Sequence, residues 1–336
     1  MLKIGLVGFG FMGRMHFDNY ERLMREGADI ELTAICDIRI EELKNGGTWG
    51  NIATEQEVYD LSKYKLYDNL EQMLEQEQFD IIDLTLPTPL HAELVIPLLE
   101  RGIHVLCEKP VARTAEEGHK MAEAARRTGK TLMIGQCLRF WPAYEYLKAC
   151  IEDGRFGAVT SASFFRGSAS PQGWFLNGEL SGGCMLDMHI HDTDMVNWLF
   201  GKPTAVSSLA RNVIAGSAYD MVSTHYAYPD GKVVNAQADW TLQGDFGFAM
   251  GYRVNFEKGN IIFEKDVVKV NPNDVAGFVP ELPGDMGYYR EIKAFVEAVN
   301  KGERVEACLP ESAVESLEIV EAEIRSADQR GVWVEL

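Results

Sequence analysis

The chain has 336 residues, enough for two ordinary cores, and its 46% apolar and 25% charged residues are those of a globular protein in water. Its net charge of -19, spread along the chain, repels nucleic acid and anionic lipid, and no apolar run of about 18 residues is available to span a membrane. No signal-peptide pattern follows MLKIGLVGFG, and the six Cys form no CxxC pair, so the expectation is a cytoplasmic protein with reduced, mostly buried thiols and neither a nucleic-acid nor a membrane partner.

Residues 2–7 read as a short buried strand, followed by the loop GFGFMG and a helix from Arg14 to about Glu26. Strands follow at 30–36 and 79–86, a helix at about 91–101, a strand at 104–109, a helix near 114–128 and a strand at 131–137. Strands that are apolar throughout and alternate with helices predict an α/β Rossmann-type unit, a parallel sheet with helices on both faces, over 1–138. The pattern changes near Arg139. After a helix at about 142–152, strand-like runs begin at 159, 206, 221, 232, 252 and 260 with no helix between most of them, and YPDGK and EKGN supply hairpin turns. Helices return near 288–300 and 311–328, and VWVEL is a last strand. The expectation for 139–336 is an α+β domain around a mostly antiparallel sheet.

Gly8, Gly10 and Gly13 form G-x-G-x-x-G directly after a strand and at the opening of a helix, with Phe11 and Met12 inside the turn. Gly8 permits the tight turn, Gly10 lets a pyrophosphate approach the backbone, and Gly13 lets the helix pack closely. The helix N-terminus adds N–H donors and positive potential. Asp37, 24 residues beyond Gly13, ends the next strand. A carboxylate there accepts from the ribose hydroxyls and repels a 2′-phosphate, which favours NAD. Arg39 nearby is suited to pair a phosphate or stack on adenine, which keeps NADP open, and a solvated surface Arg is the alternative.

Glu108-Lys109-Pro110, after the strand HVLCE, resembles the EKP motif of the Gfo/Idh/MocA oxidoreductase family. LPTPLH (86–91) resembles that family's turn after the fourth strand, LRFWPAYEYLK (138–148) its RF-x-P segment, and SGGCMLDMHIHDTDMVNWLFG (181–201) its GGG-x-x-x-D-x-G-x-H-x-x-D segment. YYREIKAFVEAV and ESAVESLEIVEAEIRSA fit its last helices, so the resemblance covers essentially the whole chain. It implies a Rossmann domain followed by a domain with a large open-faced, mostly antiparallel sheet. It also implies NAD(P)-linked oxidation or reduction of sugars and polyols, and homodimers or homotetramers that pack through the C-terminal sheet.

Oxidising a secondary alcohol needs a base for the hydroxyl proton and a cation for the developing alkoxide. Lys109, at the C-terminal end of a parallel strand, suits the cation role. A helix over 186–200 puts Asp187 and His191 on one face, continued by Asp194 and Trp198, with Leu186, Ile190 and Val196 turned to the core. By the resemblance, His191 is the general base and Asp187 its partner, while Lys109 polarises the substrate oxygen or relays the proton. Leu86, Pro87, Thr88, His91, Glu108 and Gln136 are further candidates for cofactor contacts, and Thr88 and His91 are also placed to cap a helix. Arg139, Trp141, Trp174 and His189 are candidates for substrate contacts, with core packing or ordinary loop structure the alternative for each. Trp174 lies in a Gly/Pro/Ser-rich loop, 167–183, long enough to cover a sugar. HIHD lacks the spacing of a metal hydrolase, and residues two apart on a helix diverge, so no metal is expected. The chain departs from the family at His189 (usually Gly), Cys184 (third Gly), Leu86 (Thr) and Thr88 (Asn), and these positions bear on the substrate.

The leading expectation is a sugar or polyol dehydrogenase, acting on an inositol-like polyol or a related carbohydrate. One alternative is a glycoside-oxidising or redox-assisted glycan-degrading enzyme with tightly held NAD. Another, of a different class, is a non-catalytic dinucleotide-binding sensor, against which the joint presence of Lys109, Asp187 and His191 counts.

Overall fold

The computed structural model describes residues 1–43 and 59–336. The chain forms two compact units, 1–136 with 288–311, and 137–287 with 312–336. The first break lies close to the expected boundary at 138. The second part is not one uninterrupted domain, however, because residues 288–311 return to the first unit.

In the first unit a parallel sheet has the order β3-β2-β1-β4-β5-β6. Its strands are β1 (Leu2–Val7), β2 (Ile30–Cys36), β3 (Lys65–Tyr67), β4 (Ile81–Leu84), β5 (His104–Glu108) and β6 (Leu132–Gly135). The helices are α1 (Phe11–Arg25), α2 (Ile40–Leu43), α3 (Leu70–Gln76), α4 (His91–Glu100) and α5 (Ala115–Thr128). Buried apolar side chains such as Ile4, Leu6, Ile82, Leu106 and Ile134 explain the continuous apolar strands, since helices cover both faces. The strand order reverses between β1 and β4, and in open α/β sheets ligands bind at the carboxyl ends of the strands flanking that point. Three elements escaped the sequence reading, the single-turn helix α2 among them. β3 is a three-residue edge strand with no fully buried position, and α3 is a short helix announced only by Asn69, whose side chain accepts from Gln72 N–H at 2.9 Å.

The returning segment carries α9 (Gly287–Lys301). Tyr289, Ile292, Phe295, Val296 and Val299 recur at helical spacing and are all buried. Tyr289 donates to Glu26, and the Arg22 guanidinium lies 3.8 Å from the Tyr289 ring centroid. Farther on, Cys308 Sγ reaches the Ile134 carbonyl at 2.9 Å. An amphipathic helix goes where its apolar stripe is covered, and that surface belongs to the first unit.

In the second unit an eight-stranded sheet has the order β13-β12-β11-β7-β10-β9-β8-β14. Its strands are β7 (Val159–Ser168), β8 (Ala205–Arg211), β9 (Met221–Ala227), β10 (Val233–Asp239), β11 (Phe248–Phe256), β12 (Gly259–Glu264), β13 (Val267–Pro272) and β14 (Val334–Glu335). Every pairing is antiparallel except β7 with β10, so the sheet is mostly antiparallel as expected. The sequence reading missed β13. Its hairpin turns through Lys265 and Asp266, both at positive φ (51° and 59°), where Asn-Gly or Asp-Gly is the usual signal. The helices are α6 (Pro142–Glu152), α7 (Gly178–Ser181), α8 (Ile190–Phe200) and α10 (Pro310–Asp328).

α8 is buried almost all round, so its polar side chains are nearly all paired within the core. Asp192 pairs with Arg166 at 2.9 Å and Asp194 with Arg139 at 2.6 Å. Thr193 donates to Glu323 Oε1 at 3.0 Å, and Tyr226 donates to the same oxygen at 2.8 Å. His189 Nε2 stands 3.4 Å from Glu323 Oε2, too long for a strong charged bond. Burial, then the Arg166 charge, lowers the His189 pKa to about 3, and burial raises Glu323 to about 8 despite the Tyr226 and Thr193 bonds. The pair is therefore neutral at neutral pH.

Glu323 keeps a raised folded pKa, so its contribution to stability is full below the unfolded carboxylate value and is lost as pH rises toward about 8. Replacing Glu323 with Gln removes that titration. Urea unfolding at about pH 5 and about pH 8 is expected to show wild type losing stability relative to Glu323→Gln, by at most ~1.4 kcal/mol per pH unit. A difference that does not change with pH would refute the protonated Glu323.

Candidate active site

The Gly-rich loop joins β1 to α1, and the helix opens at Phe11 rather than Arg14, so Phe11 and Met12 are its first residues. Gly8 has φ +97°, and a Cβ there would lie 2.7 Å from the Thr85 carbonyl oxygen. A Cβ at Gly13 would lie 2.0 Å from the Gly8 carbonyl oxygen, so the helix can meet its own loop only if this position is Gly. At Gly10 a Cβ would meet nothing within 4 Å. That open backbone is the approach a pyrophosphate needs. Gly10 is also the N-cap, so no side chain caps the helix, and no acidic residue occupies its first turn. The positive end of α1 is left for an anion.

Asp37 follows β2 and is buried. Its Oδ2 accepts from Phe9 N–H and its Oδ1 from Arg39 N–H, each at 2.8 Å. The carboxylate thus ties the two loops together, with its remaining lone pairs left for ribose hydroxyls. Arg39 is half-buried beside it. After β4, Thr85 Oγ1 donates to the Gly8 carbonyl at 2.9 Å, fixing the turn of Leu86, Pro87 and Thr88 against the Gly-rich loop. Gln136 follows β6, is buried, and its Nε2 has no hydrogen-bond partner among the described residues. An uncapped helix N-terminus, an open Gly10 and an unpaired buried amide fit a dinucleotide.

Two expected cofactor contacts have other work. His91 is fully buried, with Nδ1 2.8 Å from the Pro110 carbonyl and Nε2 2.9 Å from the Leu86 carbonyl; burial lowers its pKa, so the neutral ring donates to one of them, and both nitrogens face protein carbonyls rather than a ligand. Glu108 places Oε1 3.1 Å from His16 Nε2, while its Oε2 accepts from Lys109 N–H at 3.1 Å. Both oxygens are committed within the fold. Lys109 itself is half-buried, follows β5 directly and precedes a cis peptide to Pro110. In this unit the Gly-rich loop, the Thr85–Thr88 turn and Lys109 stand at the carboxyl ends of the neighbouring strands β1, β4 and β5.

In the second unit Asp187 lies in a π-helical turn, Met185–His189, that runs straight into α8, where His191 is the second residue. Such turns are frequent at functional sites because they redirect side chains without ending a helix. Asp187 is buried and His191 half-buried, while Leu186, Ile190 and Val196 face the core as expected. Asp194 does not extend the Asp187–His191 stripe as an active residue, because its carboxylate is taken by Arg139 and by Ser316 Oγ at 2.8 Å.

Two candidate substrate contacts prove to be core groups. Arg139 is buried and bonds Asp194 through Nε and Nη2, at 2.9 and 2.6 Å, and Ser312 at 2.9 Å. His189 is fully buried in the Glu323 network. Trp141 occupies the N-cap position of α6 without a side-chain cap, and Trp174 lies half-buried against Phe175 with ring centroids 4.3 Å apart. Cys184 is buried with Met185, Met188 and Trp240. All six Cys are buried.

The sequence reading passed over His16 and Glu291, which lie against Glu108, and Asp83, which bonds the other side of His16. The one local signal was His16 itself, three residues beyond the last Gly of the loop motif.

A nucleotide-binding α/β sheet joined to an open antiparallel sheet, with a Lys held at the carboxyl end of β5, defines a class of dinucleotide-dependent oxidoreductases. Residues 2–136 match the family model described as "Oxidoreductase family, NAD-binding Rossmann fold", and 144–262 match the GFO/IDH/MocA C-terminal domain. The chain belongs to the Gfo/Idh/MocA family. It is 30% identical over 201 residues to the rhizopine catabolism protein MocA of Rhizobium meliloti, covering 60% of this chain and 57% of that protein. It is 26% identical to the inositol 2-dehydrogenase of Rhizobium meliloti over 98% of both chains. Several curated relatives are matched over little more than half their length, 53% for the levoglucosan dehydrogenase of Pseudarthrobacter phenanthrenivorans. A solved levoglucosan dehydrogenase in complex with NADH and levoglucosan superposes with a TM-score of 0.86 over 99% of both chains, at 22% identity. No helix among the described residues is long and apolar enough to cross a membrane.

Proposed function

We propose that the chain is an NAD-dependent dehydrogenase that interconverts a secondary alcohol and a ketone on a sugar, a polyol of the inositol type or a glycoside. The observation that carries this reading is the alignment of the Gly-rich loop, the Thr85–Thr88 turn and Lys109 at adjacent strand ends of one sheet. The names of the relatives, inositol 2-dehydrogenase and levoglucosan dehydrogenase among them, support the substrate class. Bound NAD supplies the hydride acceptor. The residues that hold it are Gly8, Gly10, Phe11, Met12, Gly13, Asp37, Arg39, Leu86, Pro87, Thr88 and Gln136. Lys109 stabilises the negative charge that develops on the substrate oxygen, and His191 takes the hydroxyl proton with Asp187 orienting its ring. Trp141 and Trp174 offer aromatic faces to the sugar.

The test is a panel of myo-inositol, levoglucosan and methyl glucosides with NAD+, read as NADH absorbance. No NADH from any of them, with nucleotide co-purifying on the protein, would overturn turnover in favour of a dinucleotide sensor. The Asp37 carboxylate makes the enzyme prefer NAD. Asp37→Ser is expected to shift the NAD/NADP ratio of kcat/KM toward NADP by roughly tenfold, the equivalent of about 1.4 kcal/mol of removed charge repulsion. An unchanged ratio would remove Asp37 from cofactor choice. The outer face of the second sheet exposes Phe165 (37%), Leu209 (63%) and Val233 (59%), which supports a homodimer or homotetramer through it. Light scattering that gives a monomer would refute this.

A further inference from the structure

Four side chains that the chemistry above leaves unused meet inside the first unit. His16 stands on α1, Asp83 on β4, Glu108 on β5 and Glu291 on α9, and their exposures are 0%, 0%, 5% and 0%. His16 Nδ1 is 2.8 Å from Asp83 Oδ2, and His16 Nε2 is 3.1 Å from Glu108 Oε1. An imidazole with a carboxylate at each nitrogen satisfies both only as the doubly protonated ring. Burial lowers the His16 pKa, but Asp83 and then Glu108 outweigh it and hold the ring well above the ordinary histidine range. Burial, then the Glu108 charge, keeps Glu291 protonated, and burial keeps Tyr20 and Cys107 neutral. The protonated imidazole therefore sits between two carboxyl groups in the core.

This arrangement is costly unless it fixes something. What it fixes is Glu108. One oxygen goes to His16, and the other holds the Lys109 N–H at 3.1 Å. β6 closes the third side, where a Cβ at Gly135 would lie 3.2 Å from Glu108 Oε1. Asp83 anchors the far side of the imidazole to the neighbouring strand.

We propose that His16 is a positioning residue for Lys109: it bridges Asp83 to Glu108, locks the Glu108 carboxylate, and through that carboxylate sets where the Lys109 backbone leaves β5. The proposal rests on the reading that Lys109 acts in turnover, and His16 never touches the reacting atoms. Gln carries one neutral amide nitrogen and cannot span two carboxylates, so His16→Gln breaks the bridge from Asp83 to Glu108 and leaves Glu108 without its charged partner.

The experiment compares wild type, His16→Gln, Glu108→Gln and the double variant. On whichever panel sugar is oxidised, kcat is expected to fall roughly 10- to 100-fold in each single variant, with NADH affinity and KM within about twofold. The double variant is expected to be no worse than the poorer single, because both changes cut the same link. Losses that multiply would overturn the proposal, since His16 would then act independently of Glu108. Nitrogen-15 spectra of the histidine rings and the Lys109 amide supply readouts that need no turnover. Wild type is expected to hold one doubly protonated ring above neutral pH, absent from His16→Gln and losing its proton at lower pH in Glu108→Gln than in wild type. The Lys109 amide proton is expected to move upfield in His16→Gln, or in Glu108→Gln should the first variant not fold. A neutral His16 ring in wild type, or an unmoved Lys109 amide, would refute the positioning role. An inactive wild type with these spectra intact would instead refute the dehydrogenase reading alone.

Discussion

Lys109→Ala is expected to lower kcat by roughly a thousandfold while leaving NADH affinity within about twofold. Lys109 follows β5, and its backbone N–H is held by Glu108 Oε2 at 3.1 Å, so the ammonium leaves from a fixed point. A cation so placed stabilises charge that exists only as the substrate hydroxyl loses its proton, and its removal acts on the transition state rather than on binding. The residues proposed to hold the dinucleotide lie in other segments, at the Gly-rich loop and after β2, β4 and β6. Turnover by the panel assay and NADH fluorescence titration separate the two effects. A variant with kcat near wild type would take Lys109 out of catalysis. His191→Ala is expected to behave alike, with a further loss of the limb of the pH profile that reports the base.

Arg139→Ala is expected to destabilise the second unit by about 3–5 kcal/mol, a large part of the total stability of a typical domain. Its guanidinium makes two bonds to Asp194, at 2.9 and 2.6 Å, inside the core, and Asp194 also accepts from Ser316 Oγ at 2.8 Å. Removing the Arg leaves a buried, uncompensated carboxylate. The double variant Arg139→Met/Asp194→Leu is expected to recover most of the loss, because no charge then stays behind. Urea unfolding of the two variants measures both numbers. A stable Arg139→Ala protein with a raised KM would restore the substrate role that its place after β6 suggests.

The contrast between Lys109 and Arg139 shows what kind of information a linear chain carries. Both are cations just beyond a strand of the Rossmann half. For Lys109 the flanking motif and the strand before it already mark a ligand-facing strand end. For Arg139 the deciding partner is 55 residues away, on a helix whose polar side chains are nearly all paired inside the core. His189 repeats the lesson, as its partner Glu323 lies far along the chain. His91 is the milder case. Its segment was legible, but its ring turns inward to two carbonyls rather than toward a ligand.

The sequence by itself determined the two sheets, the nucleotide loop and the family. These rest on local regularities, namely unbroken apolar strands, glycines at required positive φ or close approach, and a three-residue motif after a strand. Only the tertiary structure decided that 288–311 completes the first unit, that β13 turns through Lys265 and Asp266, and that Arg139 and His189 belong to the core. It also gathered His16, Asp83, Glu108 and Glu291 around the base of Lys109. The physical reason is common to all of these. Burial and charge pairing depend on groups brought together from distant segments, and no local period records which carboxylate will meet which cation.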